Sequence, residues 1–441
     1  MKRWFWIVIL VTIVTRGVTF AYYRPWSASY DMKVMGEDPY VYHRLAIDLL
    51  ATGQYGGNPE YDSFLHVATV RPPGYPLFVA AVYAVFGIRP WVVLLVHILL
   101  SAVSAALLMG AVRTTIGERS AVVAGMLFAV HPVATFTAIS MFSETFFLFL
   151  LCLLLYVMAF TWQSQQSSAA SVLAVAMWLS IGVIAGMSTV VRVSMLYLAP
   201  LLILLWIGFS PTPLRQRATC FFAALAGFAL PLLPWSLHNY QRFGSYRLSA
   251  SGEYNLLVLT VGQAFAKGGL AEFERVKREL TAEALQRMRQ DGLPPATKPL
   301  HRARYYRQLA LEKLYRHPRV VLRGCILGAV KFWFLPSRAS GESFLGDTRG
   351  TTRFLLGGAL FYAAALQVLL VTSALYGIHQ LWKRRQALWA LTLVLAALYF
   401  TLGTGAAGSS RYFLQVLPFL LPVSAHGLCR ALAVRERQRN Q

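Results

Sequence analysis

The residues best suited to chemistry stand where apolar runs begin or end. The first group is Gly36-Glu37-Asp38-Pro39-Tyr40-Val41-Tyr42-His43-Arg44. Asp38 precedes a proline and opens a short run in which Val41, Leu45 and Leu49 recur at helical spacing. It serves either as a helix N-cap or as a base or metal ligand fixed at a helix start. Glu37, Tyr42 and His43 surround it with groups able to bind a substrate. The second group, Arg71-Pro72-Pro73-Gly74-Tyr75-Pro76, is a stiff turn that fixes where Arg71 points. A guanidinium held at the lipid headgroup level suits a phosphate; the plainer alternative is a basic residue that marks the membrane interface.

His131-Pro132, Ser143-Glu144, Arg192 and Arg411-Tyr412 lie inside or at the ends of apolar stretches. Ionisable groups are expensive there and need partners, so Glu144 and Arg192 are either site residues or halves of a structural ion pair. The last group is Pro234-Trp235-Ser236-Leu237-His238-Asn239-Tyr240-Gln241-Arg242, followed by Glu253 and Asn255. An interfacial aromatic belt accounts for its Trp and Tyr residues. It leaves His238, Asn239, Arg242, Glu253 and Asn255 as candidate substrate contacts.

The elements that must position these groups are written in the composition. The chain has 441 residues, of which 57% are hydrophobic and 13% charged, with a mean hydropathy of +0.52. Apolar runs of roughly 20 residues, enough to cross a bilayer, recur along it. They lack the period-2 alternation of barrel strands, so the expected fold is all-α, a polytopic helical membrane protein. Ten spans are readable: Trp4 to Tyr22, Trp91 to Val112, Ala121 to Ser140, Thr145 to Trp162, Val172 to Val190, Ser194 to Phe209, Ala218 to Leu237, Phe354 to Trp382, Leu388 to Gly403 and Tyr412 to Leu428. Tyr75 to Ile88 is short for a span and Val320 to Phe334 is broken by Arg323 and Lys331, so each reads as an in-plane or interfacial helix. Counting either as a crossing raises the total to eleven or twelve, so about 10–12 transmembrane helices are expected.

The expected organisation is an N-terminal transmembrane catalytic module over 1–237, with a first extracytoplasmic loop at 24–76 that carries amphipathic juxtamembrane helices. A polar, partly helical extracytoplasmic loop follows at 238–319, with one solvated helix near Glu272 to Arg289. An interfacial helix and the C-terminal transmembrane helices fill 320–430, and 431–441 is a basic cytoplasmic tail. Lys2, Arg3, the basic or polar connectors Arg113 to Arg119, Gln163 to Ser168, Pro211 to Arg217 and Lys383-Arg384-Arg385, and the tail all assign their side to the cytoplasm. Asp38, Glu144 and Arg192 then emerge together on the opposite side. The formal charge of +23 has no nucleic-acid-binding motif around it and is read as topology signal and anionic-lipid contact. Cys152, Cys220, Cys325 and Cys429 are scattered through apolar stretches and have no metal-site or disulfide spacing.

Taken in order, Asp38 to Ala46, Arg71-Pro-Pro-Gly-Tyr-Pro, His131-Pro132 with Ser143-Glu144, Pro234-Trp235 with His238-Asn239, and Arg411-Tyr412 before Leu417-Pro418 resemble the GT-C class of membrane glycosyltransferases. The branch in question is similar to the bacterial protein O-mannosyltransferases and the lipid A aminoarabinose transferase. The resemblance implies inverting transfer of a sugar from a polyprenyl-phosphate carrier to a lipid, glycan or protein acceptor on the extracytoplasmic face; the high basic content with short connectors suggests a bacterial inner membrane. By motif it implies Asp38 as catalytic carboxylate and Glu144 as a second acid near the acceptor. Arg71 and Arg411 would hold the carrier phosphate, and a divalent metal ion could sit at Asp38 and Glu144. Two departures stand out: His238-Asn239 replaces the more frequent Arg-Asn pair, and Glu144 has no neighbouring Asp. The competing class is a transporter or flippase of a lipid-linked or anionic solute, for which polar groups at mid-span would be expected.

Overall fold

The computed structural model describes residues 2–27, 37–56, 71–165, 171–266, 269–293, 299–335, 351–383, 386–408 and 410–439. The side chain of Glu37, part of the Gln163 to Ser168 connector and Arg384-Arg385 lie outside the described residues. In chain order the helices are α1 (Lys2–Tyr23), α2 (Glu37–Thr52), α3 (Gly74–Phe86), α4 (Pro90–Thr115), α5 (Glu118–Ala129), α6 (Pro132–Ala138), α7 (Ser143–Gln165), α8 (Ser171–Val191), α9 (Met195–Gly208) and α10 (Leu214–Phe243). There follow α11 (Ser251–Asn255), which continues into a π-helical stretch Leu256–Gly262, then α12 (Leu270–Gln290), α13 (Arg302–Arg316), α14 (Pro318–Phe334), α15 (Thr351–Lys383), α16 (Ala387–Thr404), α17 (Ser410–Phe413) and α18 (Leu417–Arg439).

The described residues form an all-α polytopic membrane fold. Eight helices, α1, α4, α7, α8, α10, α15, α16 and α18, are long and apolar enough to cross a membrane. The run from Ala121 to Ser140 is not one straight span: α5 and α6 meet at 58°, and as a single broken span they bring the number to nine. α3 and α9 are shorter apolar helices. At 13 residues α3 is about 20 Å long, well short of the hydrocarbon thickness.

The break between α5 and α6 follows from Pro132, which has no amide hydrogen to donate to the carbonyl of Phe128. Carbonyls freed in an apolar setting need donors, and three side chains from two other helices supply them. The Arg16 guanidinium, fully buried in α1, donates to Ala129 O at 2.6 Å and Phe128 O at 3.2 Å and lies over the Phe128 ring. Thr15 Oγ1 donates to Ala129 O at 3.0 Å, and the Tyr362 hydroxyl of α15 to Val130 O at 3.0 Å. The arginine that interrupts the first apolar run is therefore the clamp on a helix break.

Helices α8 and α10 approach almost backbone to backbone. A Cβ added at Gly182 would lie 2.0 Å from Ala224 O, and one at Gly227 2.2 Å from Leu179 O. In lipid, where apolar burial drives no association between helices, such close contact is what holds them. Overpacking of this kind costs about 1–3 kcal/mol. Gly182→Leu is therefore expected to lower the melting midpoint in detergent by about 5 °C. Gly208→Leu, with no heavy atom within 4 Å of its added Cβ, should leave it unchanged, and equal midpoints would refute the contact.

Outside the span bundle, α12 is less solvated than its charges suggest. Val276, Leu280, Ala284 and Met288 recur every four residues and are buried against Leu257, Val261, Tyr305, Tyr306 and Leu309. The ion pairs Arg287–Glu283, Arg287–Glu312 and Lys313–Glu283 flank this packed face, two of them reaching across to α13.

Candidate functional site

Five chain segments meet at one end of the bundle. α2 begins at Glu37, so Asp38 lies in its first turn rather than before it, and Pro39, which needs no intrahelical partner there, follows. The Asp38 carboxylate is paired by Arg71, from the turn before α3, at one oxygen, and by Arg411 Nη1 of α17 at the other, 2.7 Å away. Glu144 lies in the first turn of α7, 1% exposed, and is paired by Arg411 Nε and by Arg192 Nη1 at 3.0 Å. One guanidinium, that of Arg411, thus spans both carboxylates. It also stacks over Phe142, 4.0 Å from the ring centroid.

Around these five groups, Arg192 Nη1 donates to Ser143 Oγ at 3.1 Å, and the Tyr42 hydroxyl reaches the same oxygen at 3.5 Å. The Tyr42 ring packs edge-on to Tyr75 at 4.8 Å and lies 5.9 Å from the Arg71 guanidinium. Tyr412 receives Arg192 over its ring at 6.0 Å. The electrostatics are decided by number: three guanidinium groups face two carboxylates, leaving one net positive charge. Burial would raise the Asp38 carboxyl, but Arg71, Arg411 and Arg192 outweigh it and hold the group well below the usual carboxylate range. Glu144 Oε2 is buried and has no hydrogen-bond partner among the described residues.

The remaining candidates are placed around this cluster rather than in it. His43 Nδ1 pairs with the Tyr83 hydroxyl at 2.7 Å and anchors α2 on α3. His131 accepts from the amide of Ala134 at the start of α6, and its ring stacks on Phe413 at 6.3 Å, two residues beyond Arg411. His238 stacks on Trp235 at 5.0 Å. Asn239 Nδ2 donates to Arg247 O at 2.7 Å, and Arg242 Nη1 to Tyr55 O at 2.8 Å, tying α10 to the end of the first loop helix. Glu253 pairs with Arg247, and Asn255 ends α11. Phe142, which stacks on Arg411, is not among the residues read from sequence, and Ser143, which accepts from Arg192, is named there only beside Glu144.

A divalent cation does not fit this arrangement. Among the described residues, Asp38 and Glu144 are the only carboxylates in the cluster, no group of three His, Cys, Asp or Glu side chains is arranged to hold a metal, and three guanidinium charges stand against the two acids.

The fold with its end-of-helix polar cluster has counterparts among known membrane proteins. The family model described as dolichyl-phosphate-mannose-protein mannosyltransferase matches residues 70–237, which run from the Arg71 turn through Glu144 and Arg192 to Leu237 in α10. The archaeal oligosaccharyltransferase AglB from Archaeoglobus fulgidus, solved in complex with an inhibitory peptide and a dolichol-phosphate, superposes with a TM-score of 0.59 at 15% identity, covering 100% of this chain and 51% of that one. Its apo form gives 0.59 at 16% identity, with 100% and 52% covered. ArnT from Cupriavidus metallidurans in the apo state gives 0.45 at 15% identity, with 97% and 78% covered. The chain thus spans about half the length of AglB, and at these identities the likeness establishes the fold. No curated protein sequence matches the chain.

Proposed function

We propose that the protein is an inverting glycosyltransferase that moves a sugar from a polyprenyl-phosphate-linked donor to an acceptor on the extracytoplasmic side of the membrane. The observation that carries this reading is the cluster itself, two carboxylates and three arginines with an excess positive charge at the ends of membrane helices. The dolichol-phosphate bound by AglB supports a polyprenyl-phosphate carrier for this chain. A transporter would need its charges along the spans; among the described residues the paired carboxylates and arginines collect at one end, and Arg16, buried in α1, clamps the α5–α6 break.

In the proposed reaction the acceptor hydroxyl gives its proton to a carboxylate, Asp38, as its oxygen attacks the sugar carbon opposite the phosphate. The carbon–oxygen bond to phosphate breaks, and polyprenyl phosphate leaves with the electron pair. Arg71, Arg411 and Arg192 stabilise the charge that grows on it. A carboxylate gripped by two guanidinium groups is a weak base, so the donor phosphate has a second role. By competing for Arg71 and Arg411 it loosens their hold on Asp38 and restores its basicity only when a donor is bound. The free oxygen of Glu144 is left to orient the acceptor hydroxyl.

The test is release of polyprenyl phosphate from a polyprenyl-phosphate-linked sugar by the full chain purified in lipid. Release is expected, and binding without release would overturn the reading. EDTA should change the rate less than about twofold, since guanidinium groups rather than a dication carry the positive charge. A loss of tenfold or more, restored by a divalent ion, would show that the arginines yield to a metal.

A further inference from the structure

Beside the cluster lies a groove of about 830 Å³ that shares none of its residues. Its floor is apolar, built from Leu196 and Tyr197 of α9 and Phe228, Leu232 and Leu233 of α10. Its upper end is charged, with Arg247, Glu253 and Arg307. Arg247 and Glu253 pair with each other, so Arg307 leaves the groove with one net positive charge. Tyr197 is 70% and Leu233 52% exposed, so the apolar end opens on the flank of helices that face lipid.

The wall of the groove is fastened to α10 by three hydrogen bonds to the chain segment that bears Arg247. Trp235 Nε1 donates to Leu248 O, Ser236 Oγ to Tyr246 O and Asn239 Nδ2 to Arg247 O, each at 2.7 Å. The groove also meets the cluster from two sides. Val193 in its lining follows Arg192, and the Trp235 ring packs on Tyr55, whose hydroxyl donates to Arg71 O at 3.1 Å.

We propose that this groove binds the acceptor, and that the acceptor is a lipid with an anionic headgroup, its chain along α9 and α10 and its head at Arg307 and Arg247. The proposal rests on the transferase reading above, in which the donor phosphate takes the cluster arginines; the groove brings cations of its own, for a second anion. A site that is apolar at its bilayer end and cationic at its interfacial end complements an amphiphile. A peptide laid along the same floor would leave backbone N–H and C=O groups facing leucine and phenylalanine without partners.

The test uses the full chain in phosphatidylcholine nanodiscs with a dodecyl phosphate that carries a photoreactive group at its chain end. Labelling is expected on residues 196–197 or 228–233, and it should persist against excess inorganic phosphate. Arg307→Gln, a surface change, should weaken it about tenfold, the loss of one charge-assisted contact. Ala229→Phe, which fills the floor, should do the same, while both variants bind a polyprenyl-phosphate-linked sugar as the wild type does. Equal labelling by the corresponding dodecanol, no effect of Arg307→Gln, loss of donor binding in the variants, or displacement by a polar peptide would each overturn the assignment. If the wild type fails to bind the donor while the groove labels as expected, the transferase reading fails and an anionic-lipid site remains.

Discussion

Replacing Arg411 with methionine is expected to abolish carrier release and to destabilise the fold together. Arg411 bridges Asp38 and Glu144, and Glu144 is 1% exposed, so its removal leaves a buried carboxylate with Arg192 alone. Breaking one side of a buried pair costs about 3–5 kcal/mol, most of it from the charge left behind. The rate should fall by about 10³ or more, because the same guanidinium is proposed to meet the leaving phosphate. The two effects separate in a double variant. Arg411→Met with Glu144→Gln, which removes the half-paired carboxylate but leaves Arg192 only Ser143 and the Phe147 and Tyr412 rings, should recover part of the lost stability and none of the activity. Recovery of both would make Arg411 a structural strut only, and loss of neither would remove it from the site.

Asp38→Asn is expected to lower carrier release by about 10²–10⁴, the usual worth of a positioned general base, while the protein folds and still binds the donor. The wild-type pH dependence gives a sharper signature. The carboxyl of Asp38 is depressed in the folded protein. The stability it contributes is therefore complete above the ordinary unfolded value of about 3.9 and is lost only as pH falls through the lower folded value. In the free enzyme Asp38 thus stays ionised throughout the acidic range, and kcat/KM should show no acid limb from it. In the complex, where phosphate draws Arg71 and Arg411 away, the acid limb of kcat should move up toward the ordinary carboxylate range. Coincident acid limbs in the two profiles would refute the exchange of partners, and equal turnover by Asp38→Asn would remove Asp38 from the mechanism.

Much of the cluster was legible because charge in an apolar run is conspicuous. Asp38, Arg71, Glu144, Arg192 and Arg411 each interrupt or flank a hydrophobic stretch, where a group without a partner is expensive. Their mutual pairing was not legible, since Arg411 stands 267 residues from Glu144 in the chain. Arg16 illustrates the converse. In sequence it only interrupts the first apolar run, and its use depends on two carbonyls of α5 that no local pattern reveals. The break it serves has a sequence signal, Pro132, but a proline inside a span fixes a discontinuity and not its angle. The buried stripe of α12 was available in the four-residue spacing of Val276, Leu280, Ala284 and Met288, masked by the density of charges between them. Of the groove only Glu253 stood out in sequence: Arg247 and Arg307 are two basic residues in a stretch rich in them, and tertiary packing alone sets them over one apolar floor.

The broken span also sets an order of assembly. A chain entering the membrane from its amino end has Thr15 and Arg16 in place before the carbonyls of Phe128 and Ala129 arrive, so two of the three exposed acceptors are met at once. The third waits for Tyr362, 232 residues downstream of Val130. Until α15 is inserted, the junction between α5 and α6 is only part-fastened, and Ser143 and Glu144 follow it directly in the chain. The segment that closes the junction precedes by a few dozen residues the one that brings Arg411. Nascent chains would therefore carry their two acids long before the bridging cation, and competence for the proposed chemistry would wait for it.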